Sequence, residues 1–183
     1  MEEVTASMRR EAKVINFGII YGMSSYGLSQ QLSVDPKVAQ AYIDAYFERY
    51  TGVKAYIDRA LEEARQKGYV STLLQRRRYL PDIQSPTMAI RQAAERMAIN
   101  TPLQGTAADI IKVAMIRIQG RIEGGNLGTQ MIIQVHDELV FEVPEVELQE
   151  VYPLIKNEME AVMALSVPLK VSVYTGKTWA EAH

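Results

Sequence analysis

Cysteine is absent from the 183-residue chain, so there is no disulfide framework and no thiolate metal site. Histidine is almost absent: the chain holds two, without a His-x-x-x-His spacing, which leaves zinc short of its usual ligands. No apolar run approaches the roughly 20 residues that a membrane span requires. The first residues, Met1-Glu2-Glu3-Val4-Thr5, lack the basic-then-apolar layout of a secretion signal. Internal repeats and low-complexity tracts are also missing. These absences fit a cytoplasmic protein with no membrane partner. What remains, 48 % apolar and 23 % charged, is the composition of an ordinary globular protein. The length allows one good core or two small lobes.

The net charge of −2 hides an asymmetry. Residues 1–100 carry 14 Lys+Arg against 11 Asp+Glu, whereas residues 101–183 carry 6 against 11. A basic half can face polyanions, and an acidic half can hold divalent cations.

The first half reads as helix after helix. Helical pattern runs from about Glu2 to Gly18, and Gly22 interrupts it. Asp35-Pro36 is an N-cap followed by proline at the first helical position, predicting a helix to Arg49 that Thr51-Gly52 breaks. A further helix is predicted from about Val53 to Lys67, with Gly68 as its stop. Tyr69 to Leu80 reads as an extended piece holding the basic run Arg76-Arg77-Arg78, which could touch phosphates or be a solvated charge run. From Thr87 to Ile122 the pattern is helical again, with Pro102 expected to break or kink it. A helix is expected between Val146 and Leu165, its start shifted by Pro153, and Val167 to Tyr174 reads as a last strand.

Between these lies "QVHDELVFEV", residues 134–143. Two short runs rich in β-branched and aromatic residues flank His136-Asp137-Glu138, the pattern of two buried strands joined tightly. Such turns usually use glycine, because the backbone needs positive φ, yet none is present. Adjacent carboxylates repel unless solvated, paired or bound to a cation. Asp137 and Glu138 therefore form either a solvated acidic tip or oxygen ligands of the kind Mg²⁺ takes.

In "RREAKVINFGIIYG", Arg9, Lys13 and Phe17 recur every four residues, with Tyr21 next in the series. They share one side of a helix, drifting by roughly 40° per step. Two cations followed by two rings make either a solvated cationic face grading into core aromatics or a surface for a ligand with an anionic end and a flat ring, as in a nucleoside triphosphate. The "TGKT" at 175–178 is not a phosphate loop, because Val171 stands where its first glycine belongs.

The segment "RREAKVINFGIIYGMSSYGLSQQL" strongly resembles motif B of the family A DNA polymerases. "RQAAERMAINTPLQGTAADIIKVAMI" is similar to the family's palm helix, and "QVHDELVFEV" to its motif C. The ending "VPLKVSVYTGKTWAEAH" looks like the family's C-terminus, and the three motifs stand in the family's order. The resemblance implies an α+β fold, predominantly helical, with an antiparallel β-hairpin and a C-terminal strand. Residues 1–84 would be a fingers portion, and residues 85–183 the C-terminal part of the palm.

It also implies roles. Arg9 and Lys13 would contact the triphosphate of the incoming nucleotide, Phe17 its sugar and base, and Tyr21 the hinge of the fingers helix beside the templating base. Arg96, Asn100 and Gln104 would contact the nascent pair and primer–template DNA, with His136 on the same minor-groove side. Asp137 would ligate the catalytic Mg²⁺ ions, two in the complete enzyme, with Glu138 supporting it. Asp137, Glu138 and Lys13 would be the catalytic residues. The partners implied are primer–template DNA, deoxynucleoside triphosphates and the remainder of a polymerase chain.

In this family an aspartate of motif A, on a "DYSQIELR"-like strand, shares the metals. No such stretch occurs in the 183 residues, nor does a thumb or an exonuclease domain. The chain is therefore expected to be fingers plus part of a palm, inactive alone, with sheet edges and apolar surface uncovered. Two other readings are a non-catalytic nucleic-acid-binding module and a relative of the single-subunit RNA polymerases; "INFGIIYG" and "QGTAADIIK" favour DNA synthesis.

Overall fold

The computed structural model describes residues 4–182, so the start of the first predicted helix at Glu2 lies outside them. The chain divides into two compact units, Met1–Gly105 and Thr106–His183.

In the first unit, helix α1 (Ala6–Ile20) begins where the Thr5 hydroxyl accepts the Met8 N–H at 3.2 Å. It ends as Gly22 takes φ +75°, a conformation only glycine adopts without strain. Helix α2 (Ser25–Leu32) starts with the Ser24 hydroxyl on the Gly27 N–H at 3.2 Å. Helix α3 (Pro36–Arg49) has the predicted cap, Asp35 accepting the Lys37 N–H at 2.8 Å. The expected break at Thr51-Gly52 falls instead at Tyr50 (φ −112°, ψ 63°), and helix α4 (Thr51–Lys67) already contains both residues. Gly68, at φ +73°, stops α4 as predicted.

The extended piece from Tyr69 is a hairpin: β1 (Tyr69–Ser71) pairs antiparallel with β2 (Arg77–Tyr79). Its turn uses Gln75 at φ +64°, with the Thr72 hydroxyl accepting the Arg76 N–H at 3.1 Å. A glycine-free turn of this kind left no hairpin signal in the sequence. After a 3-10 turn (Pro81–Gln84), helix α5 (Met88–Gly124) begins and runs into the second unit. Ala64, Val70, Leu80, Ile83, Ala94 and Ala98 form the core of the first unit.

Pro102 does not break α5, which is continuous over 37 residues. A mid-helix proline costs about 3 kcal/mol, and burial anchors the helix on each side of it: Ala94, Ala98 and Ile99 before, Ala114, Ile118 and Ile122 after. The Tyr56 hydroxyl also donates to the Ile99 carbonyl at 3.0 Å, just before the proline.

In the second unit, Ala114, Ile118 and Ile122 form one stripe of α5 and pack with Val151, Ile155 and Val162. Hairpin β3 (Gln130–Val135) and β4 (Glu138–Glu142) lays Met131, Leu139 and Phe141 on that core. The two strands are less buried than their composition suggested: Ile132 and Ile133 are 50 % and 40 % exposed. The ladder explains this. Register slips between Met131 and Ile133, so a bulge at Ile132 interrupts the in–out alternation. Uncovered apolar surface was expected, and Val146, at 92 % exposed, adds to it.

Helix α6 (Leu148–Glu160) follows a 3-10 turn (Glu145–Glu147) and starts well before Pro153, so the proline does not set its start. Val151 and Ile155, buried on either side, hold it in the helix. Residues 167–174 are not a strand. They belong to no ladder among the described residues. A strand exists only through a paired edge; here Leu169 packs on the core and the Val171 N–H is held by the Glu160 carboxylate at 3.0 Å.

Candidate functional site

The first unit contains a cleft of about 440 Å³, lined by Lys13, Phe17, Gly18, Tyr21, Gln31 and Arg96, among others. That volume is typical of small-ligand sites. The local fold explains why α1 and α5 share it. Tyr21 and Gly22 close α1 by donating to the carbonyls of Phe17 (2.9 Å) and Ile19 (3.0 Å). A methyl on Gly22 would lie 3.2 Å from the Ile99 Cδ1 and 3.5 Å from the Arg96 Cγ, so the turn sits directly against α5.

Three of the four predicted stripe residues, Lys13, Phe17 and Tyr21, line this cleft, and Arg96 joins them from α5. Arg9 lies one turn earlier on α1, exposed, and does not line it. Phe17 is 49 % exposed and stacks on Tyr21 with ring centroids 6.0 Å apart at 20°. Phe17 is therefore not core packing within the described residues. Asn16, beside it, accepts the Tyr46 hydroxyl at 2.7 Å and ties α1 to α3. Burial, reinforced by Tyr50, holds the Tyr46 hydroxyl above its ordinary pKa.

Arg96, Asn100 and Gln104 recur every four residues on α5. Arg96 and Gln104 are exposed, and the Asn100 Oδ1 is buried with no hydrogen-bond partner among the described residues. A buried acceptor left unmatched is costly.

His136, Asp137 and Glu138 lie in the second unit, all exposed. Val135 pairs with Glu138, so the loop has two residues, and His136 takes φ +50° where a glycine would be usual. A non-glycine residue there costs roughly 1–2 kcal/mol, partly offset as the Gln134 amide donates to the His136 carbonyl at 2.7 Å. Asp137 and Glu138 are the carboxylates this turn offers, and no group of three or more His, Cys, Asp or Glu able to hold a metal occurs among the described residues. The turn fits a share of a hard-cation site, not a whole one.

Comparison with known proteins decides the family. The sequence profile described as DNA polymerase family A matches residues 1–181. The chain belongs to DNA polymerase family A. It is 51 % identical over 181 residues to DNA polymerase I of Bacillus caldotenax and 53 % identical to that of Streptococcus pneumoniae. It is 51 % identical over 179 residues to the thermostable DNA polymerase I of Thermus filiformis. These matches cover 98–99 % of the chain and 21 % of each relative, so it spans about a fifth of their length. Among solved structures, the POL domain of Pol1 from M. smegmatis, in complex with DNA primer–template and dNTP, superposes with a TM-score of 0.96 at 46 % identity. That match covers 99 % of this chain and 32 % of the other.

For a family A polymerase region, sequence reasoning passed over some residues that shape these sites. Gln31 and Met23 line the cleft from beyond the α1 turn; both lie within the motif B segment, but no spacing singled them out there. Glu147 holds the start of β3, accepting the Gly128 N–H at 2.7 Å, the Thr129 N–H at 3.0 Å and the Thr129 hydroxyl at 2.7 Å. Those bonds, the Gly128 N–H foremost, draw its pKa below the usual glutamate range. In the sequence it is one of two acids, with Glu145, in the three residues after Pro144, and nothing there sets it apart. No helix of the described residues is long and apolar enough to cross a membrane.

Proposed function

We propose that this chain is the nucleotide-binding and partial metal-binding portion of a DNA-directed DNA polymerase, with residues 1–84 as fingers and residues 85–183 as part of the palm. The observation that carries the reading is the cleft in which Lys13 and Phe17 of α1, with Tyr21 at its C-cap, meet Arg96 of α5. A cation, two stacked rings and a second cation match the phosphates and flat base of a deoxynucleoside triphosphate. Lys13 and, one turn away, Arg9 bind the phosphates through charge-assisted hydrogen bonds. Phe17 packs on sugar and base, and Tyr21 bounds the base side.

Arg96, Asn100, Gln104 and His136 contact primer–template DNA. Donors and acceptors in the minor groove test the shape of a correct pair without reading its sequence, because the acceptors there are nearly alike for every pair. The unmatched Asn100 Oδ1 fits this role, since a ligand donor would satisfy it.

Asp137, supported by Glu138, would hold Mg²⁺ jointly with carboxylates from outside these residues. Two such ions, when bound, supply charge stabilisation at the attacking and leaving oxygens of an in-line phosphoryl displacement. The chain's own residues position and orient: Lys13 and Arg9 fix the triphosphate, and Phe17 fixes the sugar. The M. smegmatis neighbour, whose complex holds primer–template and dNTP, supports the same pair of ligands.

Primer extension tests the reading. The 183-residue chain alone extends no primer with Mg²⁺ and four dNTPs. A chimera in which residues 1–181 replace the matching region of the Bacillus caldotenax polymerase extends it. A chimera that folds and binds DNA but does not polymerise would sink the proposal.

A further inference from the structure

The run Arg76-Arg77-Arg78 has no part in the cleft described above, and the hairpin that carries it has two chemically different faces. In the β1–β2 ladder Tyr69 stands opposite Tyr79, Val70 opposite Arg78, and Ser71 opposite Arg77. Side chains alternate across a strand, so Val70 and Arg78 share one face while Tyr69, Arg77 and Tyr79 share the other. The first face is packed: Val70 is 6 % exposed, and the Arg78 guanidinium reaches the Thr101 hydroxyl at 3.5 Å and the Met97 sulfur at 3.2 Å. The second is open, with Tyr79 69 % exposed.

On that open face the two rings meet edge to face and a guanidinium lies over one of them. The Tyr69 and Tyr79 rings lie 5.7 Å apart at 60°, and the Arg77 Cζ sits 4.7 Å above the Tyr69 ring. Residues 69–79 contain three arginines and no acidic residue. Tyr79 also lines a cleft of about 380 Å³ together with Ile90, Ala93 and Met97. None of Tyr69, Arg77 or Tyr79 lines the cleft assigned to the nucleotide.

We propose that the outer face of the β1–β2 hairpin, Tyr69, Arg77 and Tyr79, is a platform for single-stranded nucleic acid. An exposed ring beside a stacked guanidinium offers a π-surface to an unpaired base and a charge to its phosphate, the pairing by which single strands are held without sequence preference. A duplex keeps its base faces stacked internally and cannot use Tyr79. An acidic peptide satisfies the arginines but has no ring faces to match the tyrosines. The proposal does not depend on the nucleotide reading of α1, and its test involves no polymerisation.

Fluorescence anisotropy of a labelled oligothymidylate of about 20 nucleotides, titrated with the 183-residue chain at low salt, tests it. Tyr79→Ala weakens binding roughly tenfold or more, the effect of losing one base–aromatic stack, while Tyr79→Phe keeps it. Arg77→Gln weakens binding and lowers the slope of log Kd against log salt by about 0.7, one phosphate contact on a single strand. Circular dichroism melts of the three variants matching wild type exclude unfolding; Tyr79 is exposed, so matching melts are expected. The proposal is overturned if the wild-type chain does not bind, if Tyr79→Ala binds like wild type, or if Tyr79→Phe falls as far as Tyr79→Ala. Displacement of the oligonucleotide by polyglutamate as readily as by unlabelled oligothymidylate also overturns it.

Discussion

Gly22 is the point where α1 ends and the chain turns against α5, so Gly22→Ala tests how the cleft is built. The residue sits at φ +75°. Holding alanine in the left-handed region costs roughly 1–2 kcal/mol. The new Cβ would also stand 3.2 Å from the Ile99 Cδ1. That methyl ends a flexible side chain, but Ile99 is buried at 4 % exposure, so yielding moves it off its rotamer at about 0.5–1 kcal/mol. The total, about 1.5–3 kcal/mol, corresponds to a fall in Tm of about 5–10 °C for a protein of this size. Gly120→Ala is the matched control. Gly120 lies inside α5 with nothing within 4 Å of the added Cβ. There alanine gains about 0.5–1 kcal/mol in helix propensity and Tm rises. Thermal melts of the two variants should thus move in opposite directions. If Gly22→Ala melts at or above wild type, or both shift alike, the turn does not hold α1 against α5 as described.

Three further outcomes follow from the sites. In the chimera, Asp137→Asn lowers kcat by several orders of magnitude while the Kd for primer–template stays within about twofold, because the charge acts on the transition state; near-normal turnover would remove Asp137 from the metal site. Phe17→Tyr raises acceptance of dideoxynucleotides relative to ordinary ones, measured as a ratio of kcat/KM values, because its new hydroxyl replaces the missing 3′-OH; an unchanged ratio would separate Phe17 from the sugar. Glu147, whose pKa is lowered by its bonds to Gly128 and Thr129, contributes stability that is present above the ordinary glutamate range, near pH 4.3, and is lost as pH falls through its depressed folded value. Glu147→Gln therefore flattens the acid limb of the stability profile, and an acid limb identical to wild type would contradict that account.

Lys13 and Phe17 could be placed together on one side of α1 because they stand one helical period apart, whereas the sequence did not show that Arg9, a turn earlier, lies off the cleft. The helix caps at Asp35 and Gly68 were legible because each rests on local backbone chemistry. What could not be read depends on partners distant in sequence. Val167 to Tyr174 has strand composition, but a ladder needs an edge, and composition says nothing of edges. Pro102 and Pro153 signal helix breaks locally, yet buried neighbours on both sides outweigh one lost hydrogen bond. The bulge at Ile132 and the glycine-free turns at Gln75 and His136 obey no residue preference a sequence scan would catch. Arg96 was assigned to the nascent pair through resemblance alone; its place beside Lys13 and Tyr21 follows from the close approach of Gly22 to α5.

The reading of the cleft as a nucleotide site is tested most directly by Lys13→Ala in the chimera, with kcat/KM for dNTP and Kd for primer–template measured on the same preparation. Losing one charge-assisted hydrogen bond to phosphate removes roughly 1.5–3 kcal/mol. The account predicts a ten- to hundredfold fall in kcat/KM for dNTP with the DNA affinity nearly unchanged. A change within about 0.5 kcal/mol, the size expected of a solvated surface lysine, or an equal loss of DNA affinity, would contradict it.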